Sequence, residues 1–261
     1  MSRLRELLAA SQLALGVSVM IPSPHVVEMV GALGFDWVLI DCEHGAIGPE
    51  SVELMAMAAQ GAGISAVARP PSADPGDILR LVDRGVDGIQ VPHVGSADEA
   101  ARVVAAVRFA PFGTRSLAVG TRAGGYGLAG TQADHAAAAH RDVLTCVQVE
   151  DVAALAHVDA IARVPGVDVV FFGPSDLSAS LGHPGEGTHP DVRAAMDSAV
   201  ARTVAAGARA GTAGGASALR HYATRGATYF YTHLPTLLQS GAQALRAVLP
   251  SDGAPPGETP S

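Results

Sequence analysis

The chain has 261 residues, 48% of them hydrophobic, which is enough for a large core and unlike a disordered chain. A formal net charge of −8 argues against nucleic acid or an anionic membrane as partner, and no apolar run reaches the ~20 residues that cross a bilayer. All 17 basic residues are arginine, a bias fitting an Ala-, Gly- and Arg-rich composition, so no lysine side chain is available to form a Schiff base.

The opening residues, Met1-Ser2-Arg3-Leu4-Arg5-Glu6, include an acid and lack a signal-peptide core. Cys42 and Cys146 both sit in strand-like surroundings without metal-ligand spacing, which suits buried free thiols and a cytoplasmic location. Strands are predicted over residues 15–20, 37–40, 65–69, 88–91, 144–149, 167–172, 208–211 and 227–231. Amphipathic stretches at 24–32, 51–60, 77–83, 97–107, 132–141, 154–162, 190–206, 216–224 and 234–249 alternate with them. Strands alternating with helices make a parallel sheet, and eight strands close a barrel, for which ~250 residues is the usual size. The expected architecture is α/β: a single (β/α)8 TIM barrel over residues 1–249, followed by a low-complexity, disordered tail over 250–261. The turns Gly34-Phe35-Asp36, Gly85-Val86-Asp87 and Gly166-Val167-Asp168 each lie where a helix ends and a strand begins, as αβ loops do. One long irregular segment, 109–131, has the length of a lid, a binding loop or an interface arm.

Chemistry collects where the strands end. Trp37-Val38-Leu39-Ile40 runs into Asp41, Glu43 and His44; the third strand ends at Arg69 before two prolines, and the fourth at Pro92-His93. The fifth ends at Gln148 and Glu150, and the sixth at Gly173-Pro174-Ser175-Asp176. In a barrel these positions share one rim, the one that carries the active site. Glu150 and Asp176 offer a hard oxygen site with open positions, suited to Mg²⁺ or Mn²⁺. Arg69 supplies a fixed cation for a carboxylate or oxyanion, and His44 a proton shuttle. That set fits enolate chemistry on a small 2-oxo acid. Other roles suit single members: Ser175 or Asp176 as a helix N-cap, Glu150-Asp151 as a solvated turn, Arg69 as a loop anchor, His93 as packing. Gln148 faces the barrel interior if Glu150 does, by the two-residue period.

At these residues the chain resembles the HpcH/HpaI aldolases, metal-dependent class II pyruvate aldolases of the 4-hydroxy-2-oxoheptanedioate aldolase type. The likeness rests on GFDWVLIDCEHG at 34–45, 67–70, GIQVPHV at 88–94, VQVE at 147–150 and GVDVVFFGPSDLSASLG at 166–182. It implies a lyase that reversibly cleaves 4-hydroxy-2-oxo acids to pyruvate and an aldehyde, with a divalent metal (Mg²⁺, Mn²⁺ or Co²⁺) and no organic cofactor. Glu150 and Asp176 would ligate the metal, with Asp41 and Glu43 supporting them. Gln148, with Gly173, Pro174 and the Ser175 and Asp176 backbone, would hold pyruvate. Arg69 would stabilise the enolate, and His44 would be the base, made more basic by Asp83. The resemblance also implies a homo-oligomer, a hexamer or trimer of dimers, with the last helix packed on a neighbour. The chain departs from the pattern at Tyr229-Phe230-Tyr231-Thr232-His233 and at Gly211–215, which leaves the aldehyde open. His233, at the end of strand 8, and Arg115 and Arg122, in a loop long enough to reach this rim or a neighbour's, are the expected contacts to it. The alternative is that His233 caps the final helix and both arginines make subunit contacts. Alternatives are a decarboxylase, a citryl- or malyl-CoA lyase-like enzyme, and a catalytically silent barrel. A CoA ester calls for a basic run that this acidic chain lacks, and a silent barrel for loss of Glu150, Asp176, Arg69 or His44, all of which are present.

Overall fold

In the computed structural model, which describes residues 2–249, eight parallel strands close into one barrel in sequence order. They are β1 Ala14–Val19, β2 Trp37–Asp41, β3 Ser65–Arg69, β4 Gly88–Val91, β5 Leu144–Val149, β6 Val169–Phe172, β7 Arg209–Ala213 and β8 Tyr229–His233. β8 pairs back onto β1, and helices cover the outside, so the fold is the expected (β/α)8 TIM barrel. The predicted tail, 250–261, lies outside the described residues. No helix among the described residues is long and apolar enough to cross a membrane.

The two-residue period of a strand sorts its side chains into two cores. Val38, Ile40, Ala66, Ala68, Val147, Val149, Val170 and Phe172 belong to the layer shared with the helices. Trp37, Leu39, Val67, Leu144, Cys146, Val169, Phe171, Tyr229 and Tyr231 fill the barrel itself. There the Trp37 ring stacks on Tyr229 at 4.3 Å and Phe171 on Tyr231 at 5.0 Å between centroids. A helix that the sequence reading did not predict, Arg3–Ala9, plugs the end where the strands begin, using Leu4 and Leu8. At seven residues it is too short to show a period. Arg5 ties it down through both carboxylate oxygens of Asp168, and Arg3 bonds Asp36.

Those aspartates explain the recurring Gly-x-Asp turns. Gly34, Gly85 and Gly166 end their helices at φ of 85°, 77° and 94°, the left-handed region glycine adopts at least cost. Two residues on, each aspartate accepts a backbone N–H from the neighbouring strand: Leu15, Ala66 and Thr145, at 3.0, 2.8 and 2.8 Å. This third turn delays β6 to Val169 rather than 167. β7 and β8 run two residues beyond their predicted ends, because Thr212, Ala213, Thr232 and His233 stay in ladder register although they do not read as an apolar run. The predicted helix 154–162 is a 3₁₀ turn, Ala154–His157, joined to a short α-helix, Val158–Ala162.

Candidate active site

The interior rows emerge at the rim where the strands end. Arg69 from β3, Gln148 and Glu150 from β5 and beyond it, Gly173 after β6, Ala213 from β7 and His233 from β8 meet there. With Met20, His44, Phe171, Pro174, Ser175, Asp176 and Tyr231 they line a cavity of about 190 Å³. A larger hollow, about 480 Å³, opens at the opposite end between Ser2, Gln60 and Arg122. Its acid, Asp87, is committed to the Ala66 N–H, so the smaller cavity is the one equipped for chemistry.

Ladder register sets Asp41 of β2 directly beside Arg69 of β3. Arg69 donates from Nε to Asp41 Oδ1 at 3.0 Å and from Nη2 to Oδ2 at 2.5 Å, a two-pronged match of planar groups. Its Nη1 lies 3.2 Å from Glu43 Oε2. Burial works against the Arg69 charge, but the hydrogen bonds to Asp41 and the negative fields around it push its pKa up, so the guanidinium is permanently charged. Asp41 Oδ1 also accepts the Glu43 and His44 N–H groups, at 3.1 and 3.2 Å, and this turn presents His44 at the rim. The His44 side chain is about half exposed, with Nε2 3.6 Å from Glu43 Oε2.

Across the cavity, Glu150 is 4% exposed. Burial raises its pKa, the His93 N–H and ring oppose the rise, and Asp176 and Glu43 add to it. A desolvated carboxylate with carboxylate neighbours calls for a cation, and the all-oxygen donor set of Glu150 and Asp176 fits a hard divalent ion. Gly173 makes room: a Cβ there would lie 2.7 Å from Glu150 Oε2. Gly173→Ala is therefore expected to keep the fold, since φ is −80°, yet weaken Mn²⁺ binding by about tenfold or more. An Mn²⁺ titration followed by EPR checks this, and unchanged affinity would show that Glu150 does not need the space.

His93 matters more to this site than the sequence suggested. It sits at φ 56°, uncommon for a non-glycine residue, with its backbone N–H 2.8 Å and Nδ1 3.1 Å from Glu150 Oε1. Its Nε2 lies 3.1 Å from Glu43 Oε1, so it bridges the two acids. A histidine directly after Pro92 at a strand end was the available signal. Arg115, Arg122 and Asp83 lie away from the rim within one chain. Helix Ala97–Val107 runs back toward the strand-entry end, so segment 109–131 starts there and stays. Arg115 donates to Asp83 Oδ1 at 2.7 Å and lies over the Phe109 ring, while Arg122 bonds the Arg84 and Gly85 carbonyls and Gln60. Neither reaches this chain's catalytic rim. Asp83 ends helix Pro75–Val82 at that same far end, so within one chain it is not beside His44. His233 does reach the rim, its ring edge-on to Tyr231 at 5.4 Å, and burial and Arg69 lower its pKa.

The chain's sequence and fold have counterparts among known proteins. The family model described as HpcH/HpaI aldolase/citrate lyase matches residues 16–229. The chain is 36% identical over 248 residues to a hydroxypyruvate/pyruvate aldolase of Sagittula stellata, covering 94% of this chain and 97% of that one. It is 36% identical over 229 residues to a 5-keto-4-deoxy-D-glucarate aldolase of Salmonella paratyphi C, covering 87% and 88%. A crystal structure of an HpcH/HpaI aldolase/citrate lyase family protein from Burkholderia cenocepacia superposes with TM-score 0.88 at 32% identity, over 95% of this chain and 99% of the other.

Proposed function

The chain belongs to the HpcH/HpaI aldolase/citrate lyase family, and from that premise we propose that it is a divalent-cation-dependent pyruvate aldolase acting on 4-hydroxy-2-oxo acids. One observation carries the reading: a permanently charged Arg69 faces the Glu150 and Asp176 carboxylates across one small cavity, in a chain without lysine. A divalent ion (Mg²⁺, Mn²⁺ or Co²⁺) held by Glu150 and Asp176 would supply Lewis-acid charge at the substrate's oxo and carboxylate oxygens.

The chain's own groups do the rest. His44 accepts the proton of the C4 hydroxyl, acting through water where the contact is not direct. The C3–C4 bond breaks, the aldehyde forms at C4, and the electron pair passes into the C2 oxo group as an enolate. Arg69 donates hydrogen bonds to that developing oxyanion from a buried, fixed position, where such donors act most strongly. Gln148 and the first N–H groups of helix Pro174–Ser180, those of Ser175 and Asp176, hold the carboxylate; these N–H groups have no helical carbonyl to bond. Protonation of C3 then gives pyruvate. Met20, Tyr231 and His233 line the remaining wall and would meet the aldehyde. The buried free thiols agree with a cytoplasmic enzyme. Leu238 and Leu245, 65% and 70% exposed on helix Leu234–Ala247, agree with a homo-oligomer.

Pyruvate release from a panel of 4-hydroxy-2-oxo acids, beginning with the aldol products of hydroxypyruvate and with 5-keto-4-deoxy-D-glucarate, tests the proposal. Turnover is expected with at least one, slowed by a factor of about 10²–10⁴ in His44→Ala. No turnover, together with no exchange of pyruvate methyl protons in D₂O, would overturn it. His233→Ala is expected to change relative rates among aldehydes while leaving that exchange nearly unchanged. Equal loss of both would instead place His233 in the pyruvate half of the site.

A further inference from the structure

Behind the cavity, buried polar side chains form an unbroken line. Gln148 Nε2 lies 2.8 Å from Glu150 Oε2, Gln90 Nε2 is hydrogen-bonded to Gln148 Oε1, and the Tyr229 hydroxyl lies 2.9 Å from Gln90 Oε1. The Cys146 thiol also points at Gln90 Oε1, at 3.8 Å. Gln90, Gln148 and Tyr229 are all 0% exposed. An amide group can be turned either way round, and its orientation has to be argued from its partners. An ionised Glu150 only accepts, so Gln148 must turn its NH₂ toward it. The Gln148 carbonyl then faces Gln90, which must present its own NH₂. The Gln90 carbonyl is left facing Tyr229, whose hydroxyl donates. Reversing either amide would bury two oxygens against each other, at the cost of an unsatisfied polar group.

We propose that Gln90 and Tyr229 are positioning residues that fix the polarity of Gln148. In this arrangement Gln148 gives one N–H to Glu150 and turns the other to the cavity it lines, where it meets the substrate carboxylate. Its carbonyl is kept out of the way, bonded to Gln90. Gln148 and the His93 N–H then hold one oxygen each of Glu150, so the carboxylate is fixed from two sides. This rests on the aldolase reading above. It adds two residues of the barrel interior, on β4 and β8, that touch neither substrate nor cation. Trp37 packing would account for the ring of Tyr229 but not for its hydroxyl, and a hydrophobic residue would fill the Gln90 position at lower desolvation cost.

The experiment is a double-mutant cycle on the full-length protein with Gln90→Met, Gln148→Met and the double variant, and with Tyr229→Phe alongside. The readouts are the Mn²⁺ dissociation constant from EPR, and KM and kcat for pyruvate methyl-proton exchange. Gln90→Met is expected to raise the pyruvate KM about tenfold and weaken Mn²⁺ several-fold, as loss of one hydrogen bond would, with kcat changed less than about threefold. Tyr229→Phe should shift both in the same direction by about threefold. In the Gln148→Met background, Gln90→Met should add less than about twofold, because its effect travels through Gln148. Effects that multiply in the double variant would overturn the proposal, as would unchanged KM and Mn²⁺ affinity in Gln90→Met with only a lower melting temperature. If Gln90→Met does not fold, Tyr229→Phe, which keeps the stacked ring, decides the question by the same readouts. A wild-type protein that neither binds Mn²⁺ nor exchanges methyl protons would defeat the aldolase reading itself, which the variants alone cannot do.

Discussion

Stripping the purified protein with EDTA is expected to abolish retro-aldol activity, and Mg²⁺, Mn²⁺ or Co²⁺ to restore it. Glu150 and Asp176 line one cavity, and Arg69, the fixed cation of that lining, is already shared by Asp41 and Glu43. Glu150 is left desolvated with the Asp176 carboxylate beside it, which is the condition that favours a bound cation. Without lysine there is no iminium to take up the electron pair, so borohydride with pyruvate should leave the enzyme active. Asp176→Asn should lose Mn²⁺ affinity and activity together. Binding is also visible without turnover: a ligand at 100 times its Kd stabilises the fold by about 2.7 kcal/mol, so the melting temperature of the wild type should rise with Mn²⁺ and that of Asp176→Asn should not. The pH dependence has a definite sign. Protons compete for Glu150, whose pKa lies above the ordinary 4.5, so Mn²⁺ affinity should weaken as pH falls, and at a higher pH than for a solvated carboxylate. Full turnover in a sample verified as metal-free would sink the mechanism.

Most of this site was legible because parallel strands buried on both faces read as apolar runs, and the polar residues that end them stand out. Asp41, Arg69, Glu150 and the Gly173–Asp176 turn all follow such runs. Less legible was anything set by packing between distant elements. The helix Arg3–Ala9 has no period to show; it is defined by the barrel mouth that it fills and by Asp36 and Asp168, far away in sequence. Arg115 and Arg122 sit in a segment long enough to reach a rim, but a loop's course depends on which end of the barrel its preceding helix reaches. His93 reads as packing in the sequence because its importance rests on a left-handed backbone that aims one residue at two acids. Gln90 is a polar residue in the middle of a predicted strand, and only the neighbouring Gln148 and Tyr229 give it a reason to be there.

Arg69→Lys is expected to lower pyruvate methyl-proton exchange by about 10²–10³, the range seen when one oxyanion donor is removed, while Mn²⁺ affinity changes less than about threefold. Substitution by lysine keeps the charge and loses the shape. The guanidinium spans both oxygens of Asp41 and still reaches Glu43; an ammonium on a flexible stem cannot hold all three at once. Asp41 is fully buried, so the weakened pair also costs stability. Removing the charge altogether, as in Arg69→Met, should cost about 3–5 kcal/mol in urea unfolding, because it leaves a buried carboxylate without its cation. The two effects separate the roles of one side chain. In Arg69→Lys the turn from Asp41 to His44 is still held by the Glu43 and His44 N–H bonds, so the cation site and the base should remain placed while enolate formation fails. Exchange at the wild-type rate in Arg69→Lys would show that charge alone suffices, and the two-pronged alignment set by the Asp41–Arg69 register of β2 and β3 would then serve the fold and not the reaction.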